Sequence, residues 1–413
     1  MHIHLIGGVS MINAVGIDVS KGKSTVAILQ PGGIVIRTPF NVGHSIGELN
    51  EFKSYIQSLE GETRVVLECT GRYHEPILRT LSDSGVFVSA VNPHLIKNFK
   101  NNSVRKVKSD PVDAKKIARY TLDNWAELHE YSSMEATREQ LKTLNAQLDF
   151  FTRQRANAKI NLISLLDMTY PGINDLFSSP ARDDGSEKWV DYAASFWHVD
   201  CVRKNGLKSF KERYKAFCKG KGYKYSDTRA KEIFDASRET VSIFPKERVY
   251  KDLIEMSIKQ LRMLTENTVA LKNKMNELAS TLPEYPVVMS MSGVGKTLGP
   301  QLIAEIGDVT RFTHREAITA FAGVDPGVDE SGNRIQKSNR ASKCGPPRLR
   351  KALFLVMSSL IQTKPDDAVY HFIEKKRSEG KRYHVYMTAG ANKFLRIYYG
   401  KVKAYLASQS SAQ

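Results

Sequence analysis

Apolar and polar positions alternate toward a strand from Ala14 to Ser20, and a second strand-like run, Ser24-Thr-Val-Ala-Ile-Leu29, follows after a short Lys-Gly-Lys turn. A third β-rich run follows Pro31 and Gly32 at residues 33–37. Period-two alternation marks half-buried strands, so these runs predict a three-stranded antiparallel meander. A helix is expected over residues 45–58. The run Arg64-Val-Val-Leu-Glu-Cys-Thr-Gly71 is short, β-branched and flanked by polar residues, which predicts a buried strand with Glu68 at its carboxyl end. A helix over 75–83, a strand over 86–91 and a helix opening near Asp110 follow.

From residue 133 to about 167 the period changes. Leu141, Leu144, Leu148, Phe151, Ala158, Leu162 and Leu165 recur at three- and four-residue steps, broken by Arg155. A second run, Ile254, Leu261, Leu264, Leu271, Met275, Leu278 and Leu282, ends before Pro283. Each helix of roughly 30 residues spans about 45 Å. The two can pair as an antiparallel stalk, pair with another copy, or face the core of a compact bundle. The expected fold is an α/β domain followed by an all-α part, with a ribonuclease-H-like order of strands and helices in the first. The boundaries fall at 1–130, 131–285 with an insertion at about 171–245, and 286–413.

Composition narrows the partner. The 413 residues carry a net charge of +17 and are 41% apolar, enough for two or three cores. With a pI of about 9.5, that charge points to a polyanion, nucleic acid first. No stretch approaches 18 apolar residues, and no basic amphipathic terminus stands out, so a membrane is not expected. The N-terminus lacks a basic start and a long apolar run, so no signal peptide is read. Four scattered cysteines without a Cys-x-x-Cys pair argue for a reducing, cytoplasmic setting and against a zinc site.

Asp110 and Asp113 lie one helical turn apart, with Ser109 or Asp110 as N-cap, Pro111 at the first helical position and Ile117 continuing the apolar face. Between Lys97 and Arg119 there are eight Lys or Arg and only these two acids. Paired carboxylates in a basic stretch are suited to a divalent cation, with Lys106, Lys108, Lys115 and Lys116 on phosphates. The plainer alternative is a cap at Asp110 and an ion pair from Asp113 to Lys116. Asp18 is an acid inside a strand, or else a strand-end turn residue. Glu68 sits where α/β sites form.

The insertion interleaves Phe210, Tyr214, Phe217, Tyr223, Tyr225 and Phe234 with lysines. Such a mixture suits bases stacking on rings, or a small solvated helical unit. Met289 to Ile306 contains Gly-Val-Gly leading into a helix. It lacks the glycine a phosphate loop needs at Ser290, and resembles a helix-hairpin-helix element. Between Ser331 and Lys351 there are seven basic residues and no acid. Arg334, Lys337, Arg340, Lys343, Arg348 and Arg350 there can neutralise a phosphodiester around Ser338 and Ser342. A serine attacks phosphate only if a base or metal takes its proton; a basic loop with incidental serines is the alternative.

Together, Gly16-Ile-Asp-Val-Ser20 with Lys23, Glu68-Cys-Thr-Gly71, Asp110-Pro-Val-Asp-Ala114, Ser292-Gly-Val-Gly295, Phe321-Ala-Gly-Val324, and Ala341-Ser-Lys-Cys-Gly345 with Arg348-Leu-Arg350 resemble the IS110 family, the DEDD transposases. The likeness covers about the first 130 residues and residues 286–362. It implies a RuvC-like domain in which Asp18, Glu68, Asp110 and Asp113 bind Mg²⁺ or Mn²⁺, a coiled-coil linker, and a C-terminal transposase domain with Ser342 as nucleophile. It further implies double-stranded donor and target DNA, a structured guide RNA encoded by the element, and a dimer or tetramer acting at the nucleoid. This sequence departs from the family at the large insertion and at Pro346-Pro347, and Ser338 rivals Ser342. The acids and the serine lie more than 220 residues apart, so one site would have to be assembled in space. Other classes remain: a metal-dependent resolvase or nuclease using water, an actin-like kinase whose second Asp-x-Gly loop is missing here, and a non-catalytic nucleic-acid scaffold.

Overall fold

The computed structural model describes residues 11–68, 73–91, 93–99, 109–131, 136–325, 330–331, 334–335 and 341–410. The chain divides into two compact units, Met1–Met134 and Glu135–Gln413.

The first unit is a five-stranded sheet of order β3-β2-β1-β4-β5: β1 (Ile12–Ser20), β2 (Lys23–Gln30), β3 (Ile34–Gly43), β4 (Glu62–Glu68) and β5 (Phe87–Val91). β2 is antiparallel to β1 and β3, while β4 runs parallel to both β1 and β5. The expected meander and ribonuclease-H-like order are therefore present. Val15, Ile17, Val65 and Leu67 face one side, packed on α1 (Ile46–Gln57) and α2 (Glu75–Ser82) through Phe52, Ile56, Ile77 and Leu81. Ser45 caps α1 by accepting from the Glu48 amide. The intervening residues face the other side, where β5 leads through α3 (Pro93–Asn98) toward α4 (Asp110–Asp123). There Ala114 and Ala118 pack on Ala27 and Leu29, and Ile117 on Val66.

The second unit is built on two 32-residue helices, α5 (Ala136–Asp167) and the later α10 (Arg248–Ala279). Arg155 bonds Thr265 and Asn161 bonds Ser257, so the two run antiparallel and pair with each other. Of the predicted seam, Leu141, Leu148, Ala158, Leu162, Ile254, Leu261, Leu264, Met275 and Leu282 are buried, Leu144, Phe151, Leu271 and Leu278 are partly buried, and Leu166 is buried in place of Leu165, which is only partly so. Arg155 is accommodated there because Nη2 reaches Glu187 at 2.6 Å.

The pair runs through two cores. At one end the insertion covers it with α6 (Lys188–Ser195), α7 (Asp200–Arg203), α8 (Gly206–Lys221) and α9 (Asp227–Glu239). Leu162 and Leu166 of α5 and Ile258 and Leu261 of α10 meet Tyr192, Phe210 and Tyr214. At the other end lie α11 (Tyr285–Met289), α12 (Leu298–Ile306), α13 (Arg315–Ala322), the short strands β6 (Glu330–Ser331) and β7 (Arg334–Ile335), α14 (Pro347–Thr363), α15 (Ala368–Ser378) and α16 (Tyr383–Ser410). Leu141, Leu148 and Met275 pack there on Ile303, Val356 and Phe394. The Gly-Val-Gly turn joins α11 to α12, with Gly293 at φ +76° against Leu360 and Val356 of α14. No described helix is long and apolar enough to cross a membrane.

Most of the insertion's rings lie in its core, with Tyr223 and Tyr225 partly buried at the edge of it. Phe210, Tyr214, Phe217 and Phe234 are buried, and Tyr223 stacks on Phe217. Lys208, Lys215, Lys219, Lys221 and Lys224 remain exposed around them.

Candidate active site

In the first unit the sheet and α4 bring acids to one end. Gly16 pairs with Val66 and Ile17 with Leu67, so Asp18, two residues before the end of β1, and Glu68, the last residue of β4, come next in register on the face that α4 covers. A Cβ on Gly16 would overlap the backbone of Ala114 and Ala118, so only glycine admits α4 this close to β1. Arg64, near the start of β4, donates to the Trp125 carbonyl just beyond the end of α4. α4 therefore runs against β1 and β4, and its N-terminus lies at their carboxyl ends. Ser109 takes the N-cap conformation, Pro111 opens the helix, and Asp110 and Asp113 occupy its first turn. The free amides and dipole there favour negative charge. Asp110 is exposed, and Asp18, Glu68 and Asp113 are half-buried.

Oxygen-only donors of this kind suit a hard cation such as Mg²⁺. Among the described residues, no three His, Cys, Asp or Glu side chains gather closely enough to hold a metal ion. The donor set suits a divalent cation by its chemistry, and the side chains are not drawn around a common point. Lys115 and Lys116 are half-buried on the same helix, and Lys116 donates to the Lys97 carbonyl at 3.3 Å. Lys106 and Lys108 lie outside the described residues.

In the second unit, Ser342 is held by the end of α13. Gly323 caps that helix in the left-handed region at φ +64°, and the chain returns so that the Ser342 amide donates to the Asp325 carbonyl at 3.0 Å. The Lys343 amide donates to the Gly323 carbonyl at 3.1 Å. A Cβ on Gly345 would overlap the Phe321 carbonyl, which accounts for the glycine after Lys343 and Cys344. The Ser342 hydroxyl donates to Asp325 Oδ1 at 2.8 Å.

The basic residues divide by role. Lys343 is exposed at φ +54°. Arg348 lies on the first turn of α14, its Nε 3.9 Å from Asp149. Arg350 Nη1 donates to the Gly345 carbonyl at 2.6 Å and the Ala322 carbonyl at 3.2 Å, clamping the loop to α13. Its burial pulls the guanidinium pKa down, an effect only partly opposed by Cys344. Arg334 is described only as the backbone of β7, and Ser338, Lys337 and Arg340 lie outside the described residues. Asp325 was not among the expected site residues; its one signal was the Asp-Pro-Gly triplet closing the Phe321 motif.

The profile of the DEDD transposases of IS110 type matches residues 15–171, and that of the IS116/IS110/IS902 transposases matches residues 285–371. The chain belongs to the IS110 transposase family. This transposase is 24% identical over 307 residues to the uncharacterized 43.6 kDa protein of insertion element IS110 from Streptomyces coelicolor, covering 74% of this chain and 73% of that protein. It is 22% identical over 372 residues to the uncharacterized 44.8 kDa protein of insertion element IS116 from Streptomyces clavuligerus, covering 89% and 88%. A pilin gene-inverting protein from Moraxella bovis is 24% identical over 167 residues, 38% of the transposase and 52% of that protein. Among solved structures, RuvC of T. thermophilus in complex with a Holliday junction substrate aligns with a TM-score of 0.22 and 12% identity, covering 28% of the transposase and 96% of RuvC.

Proposed function

We propose that this transposase cuts and rejoins double-stranded DNA through a transient phosphoserine bond at Ser342, with Asp18, Glu68, Asp110 and Asp113 holding Mg²⁺ or Mn²⁺. The observation that carries the reading is the Ser342 hydroxyl, held against a carboxylate in a loop otherwise rich in Lys and Arg. A hydroxyl with a proton acceptor at 2.8 Å, in a segment of chain rich in cations, has what attack on a phosphodiester requires. A divalent cation at the four acids would polarise the scissile phosphate and lower the pKa of the attacking hydroxyl. A covalent serine–DNA link keeps the energy of the broken bond, so strands can be rejoined without an added energy source. Lys343 and Arg348, with Arg334, Lys337 and Arg340, would neutralise the phosphates, as would Lys106, Lys108, Lys115 and Lys116 beside the acids. The net charge of +17 supports a polyanionic partner of this size. The reading includes a structured guide RNA from the element, a homo-oligomer and a cytoplasmic, nucleoid-associated setting. The inverting activity in the name of the Moraxella relative agrees with conservative DNA exchange.

A denaturing gel tests the mechanism. The wild-type protein with Mg²⁺ and the element's end sequences should leave protein attached to a DNA end. Ser342→Ala should lose that adduct and keep DNA binding, and Asp18→Asn and Glu68→Gln should lose cleavage. Strand cleavage without an adduct in the wild type would mean that water is the nucleophile. Adducts that persist in Ser342→Ala and vanish in Ser338→Ala would move the nucleophile. Sequencing the RNA that co-purifies with the protein checks the guide: one recurrent non-coding species is expected.

A further inference from the structure

We infer that Asp325 is the general base for Ser342, taking the hydroxyl proton on DNA cleavage and returning it on rejoining. This rests on the reading of Ser342 as nucleophile and adds the group that activates it.

The backbone sets the pair before any side chain is considered. Gly323 turns the chain out of α13, and buried Val324 ties the turn into the core of the second unit. Residues 341–343 then return alongside it. Two backbone bonds, Ser342 N to Asp325 O and Lys343 N to Gly323 O, fix the strands in register. That register puts the two side chains next to each other, and the hydroxyl donates to Oδ1 at 2.8 Å. Arg350 fastens the far side of the loop through the carbonyls of Ala322 and Gly345. The serine and its acceptor therefore sit on a braced support, the condition for proton transfer at a defined distance.

A carboxylate beside a phosphodiester would repel it unless the charge is relieved. Proton transfer relieves it. As the Oγ–P bond forms and the P–O bond to the leaving deoxyribose breaks, the proton on Oγ moves to Asp325 Oδ1. Negative charge leaves the carboxylate as the phosphoryl oxygens gain it, and exposed Lys343 is the residue next to Ser342. The leaving deoxyribose oxygen takes a proton from solvent and departs as a hydroxyl. On rejoining, an incoming deoxyribose hydroxyl attacks phosphorus and loses its proton to solvent. The Oγ–P bond breaks, and neutral Asp325 returns its proton to Oγ. A mere loop anchor would need only an acceptor oxygen, and an asparagine supplies one.

The test is single-turnover adduct formation by the full-length protein on DNA, with Mg²⁺, across pH 5–9. Asp325→Asn retains the oxygen that accepts from Ser342 but cannot take a proton. It should keep DNA binding and melting temperature and slow adduct formation by about 10²–10⁴-fold. Its rate should climb with pH through the neutral range, where the wild-type rate is level. Asp325→Glu keeps a carboxylate on a longer arm and should restore the level profile at a reduced rate. This variant decides the matter if Asp325→Asn folds poorly. A wild-type rate and profile in Asp325→Asn, or an asparagine-like profile in Asp325→Glu, would overturn the role of Asp325. Ser342→Ala in parallel separates the two claims: if it still forms adduct, the nucleophile assignment fails; if it does not, only the base assignment is at stake.

Discussion

Gly16 and Ala118 meet backbone to backbone, and this contact lets α4 lie directly on β1. The same helix starts with Asp110 and Asp113, so the spacing between strand and helix governs how near those acids come to Asp18 and Glu68. Gly16→Ala should push α4 outward. Overpacking of this kind costs about 1–3 kcal/mol. The expected outcome is a lower melting temperature together with a loss of metal-dependent cleavage larger than the stability loss explains. Denaturation and cleavage measured on the same preparation check it.

The insertion should depend on its rings for stability and on its lysines for contact with polyanions. Phe210 is fully buried between Phe196 and Tyr214, so Phe210→Ala should destabilise by about 3–5 kcal/mol. Exposed Lys215 and Lys219 do not support that core. Reversing both to Glu should leave the melting temperature nearly unchanged. If this face tracks phosphates, nucleic-acid affinity falls and the salt dependence weakens by about one unit per lost contact. Titrations at several salt concentrations measure both effects.

These two regions show what the residues disclosed in advance. The strands of the first unit were legible because alternation marks the end of β1, with Gly16 and Asp18 within it, and because β2 is a short β-branched and apolar run set off by the Lys-Gly-Lys turn. The interior of the insertion was also encoded. Phe210, Tyr214 and Phe217 recur at helical spacing, i, i+4 and i+7, which marks a buried stripe of α8. Reading rings and lysines as a mixed composition hid the fact that they occupy different faces. Arg155 was visible as a flaw in the seam, but its partner Glu187 lies in the insertion, and no periodicity links the two. Asp325 was missed for a related reason: a chain return over 17 residues brings it to Ser342, and local pattern carries no information about that return.

Glu187 should give the second unit a pH dependence. Burial alone would raise its carboxyl pKa. Hydrogen bonds from Lys159 and Trp189 and the charges of Lys159 and Arg155 outweigh burial and hold it below the usual range. A carboxyl whose pKa is lower in the folded than in the unfolded chain adds stability above the unfolded pKa, and loses it as pH falls through the folded value. Glu187→Gln should therefore destabilise at neutral pH, on the order of 1–3 kcal/mol for lost charge-assisted bonds. The gap to wild type should close below about pH 4. Melting curves of both proteins across pH 3–8 test the sign; a gap that widens in acid would contradict it.

The buried ion pair between Arg138 and Glu284 joins the start of α5 to the turn before α11, with Nη2 and Oε1 at 2.6 Å and side chains 10% and 2% exposed. Nearby Tyr398 is fully buried, and burial first, then the negative charge of Glu284, pushes its hydroxyl pKa far up, so it stays neutral. Taking two charges out of water costs several kcal/mol each, and their attraction returns that only while both are present. Removing one partner should then be much worse than removing both. Glu284→Leu alone leaves a buried guanidinium and should cost about 3–5 kcal/mol, whereas the double variant Arg138→Met with Glu284→Leu should recover most of the loss. Urea denaturation of the single and double variants completes the cycle. If the double variant is as unstable as the sum of the two singles, the residues contribute independently and the pair is not a coupled unit holding α5 in the C-terminal core.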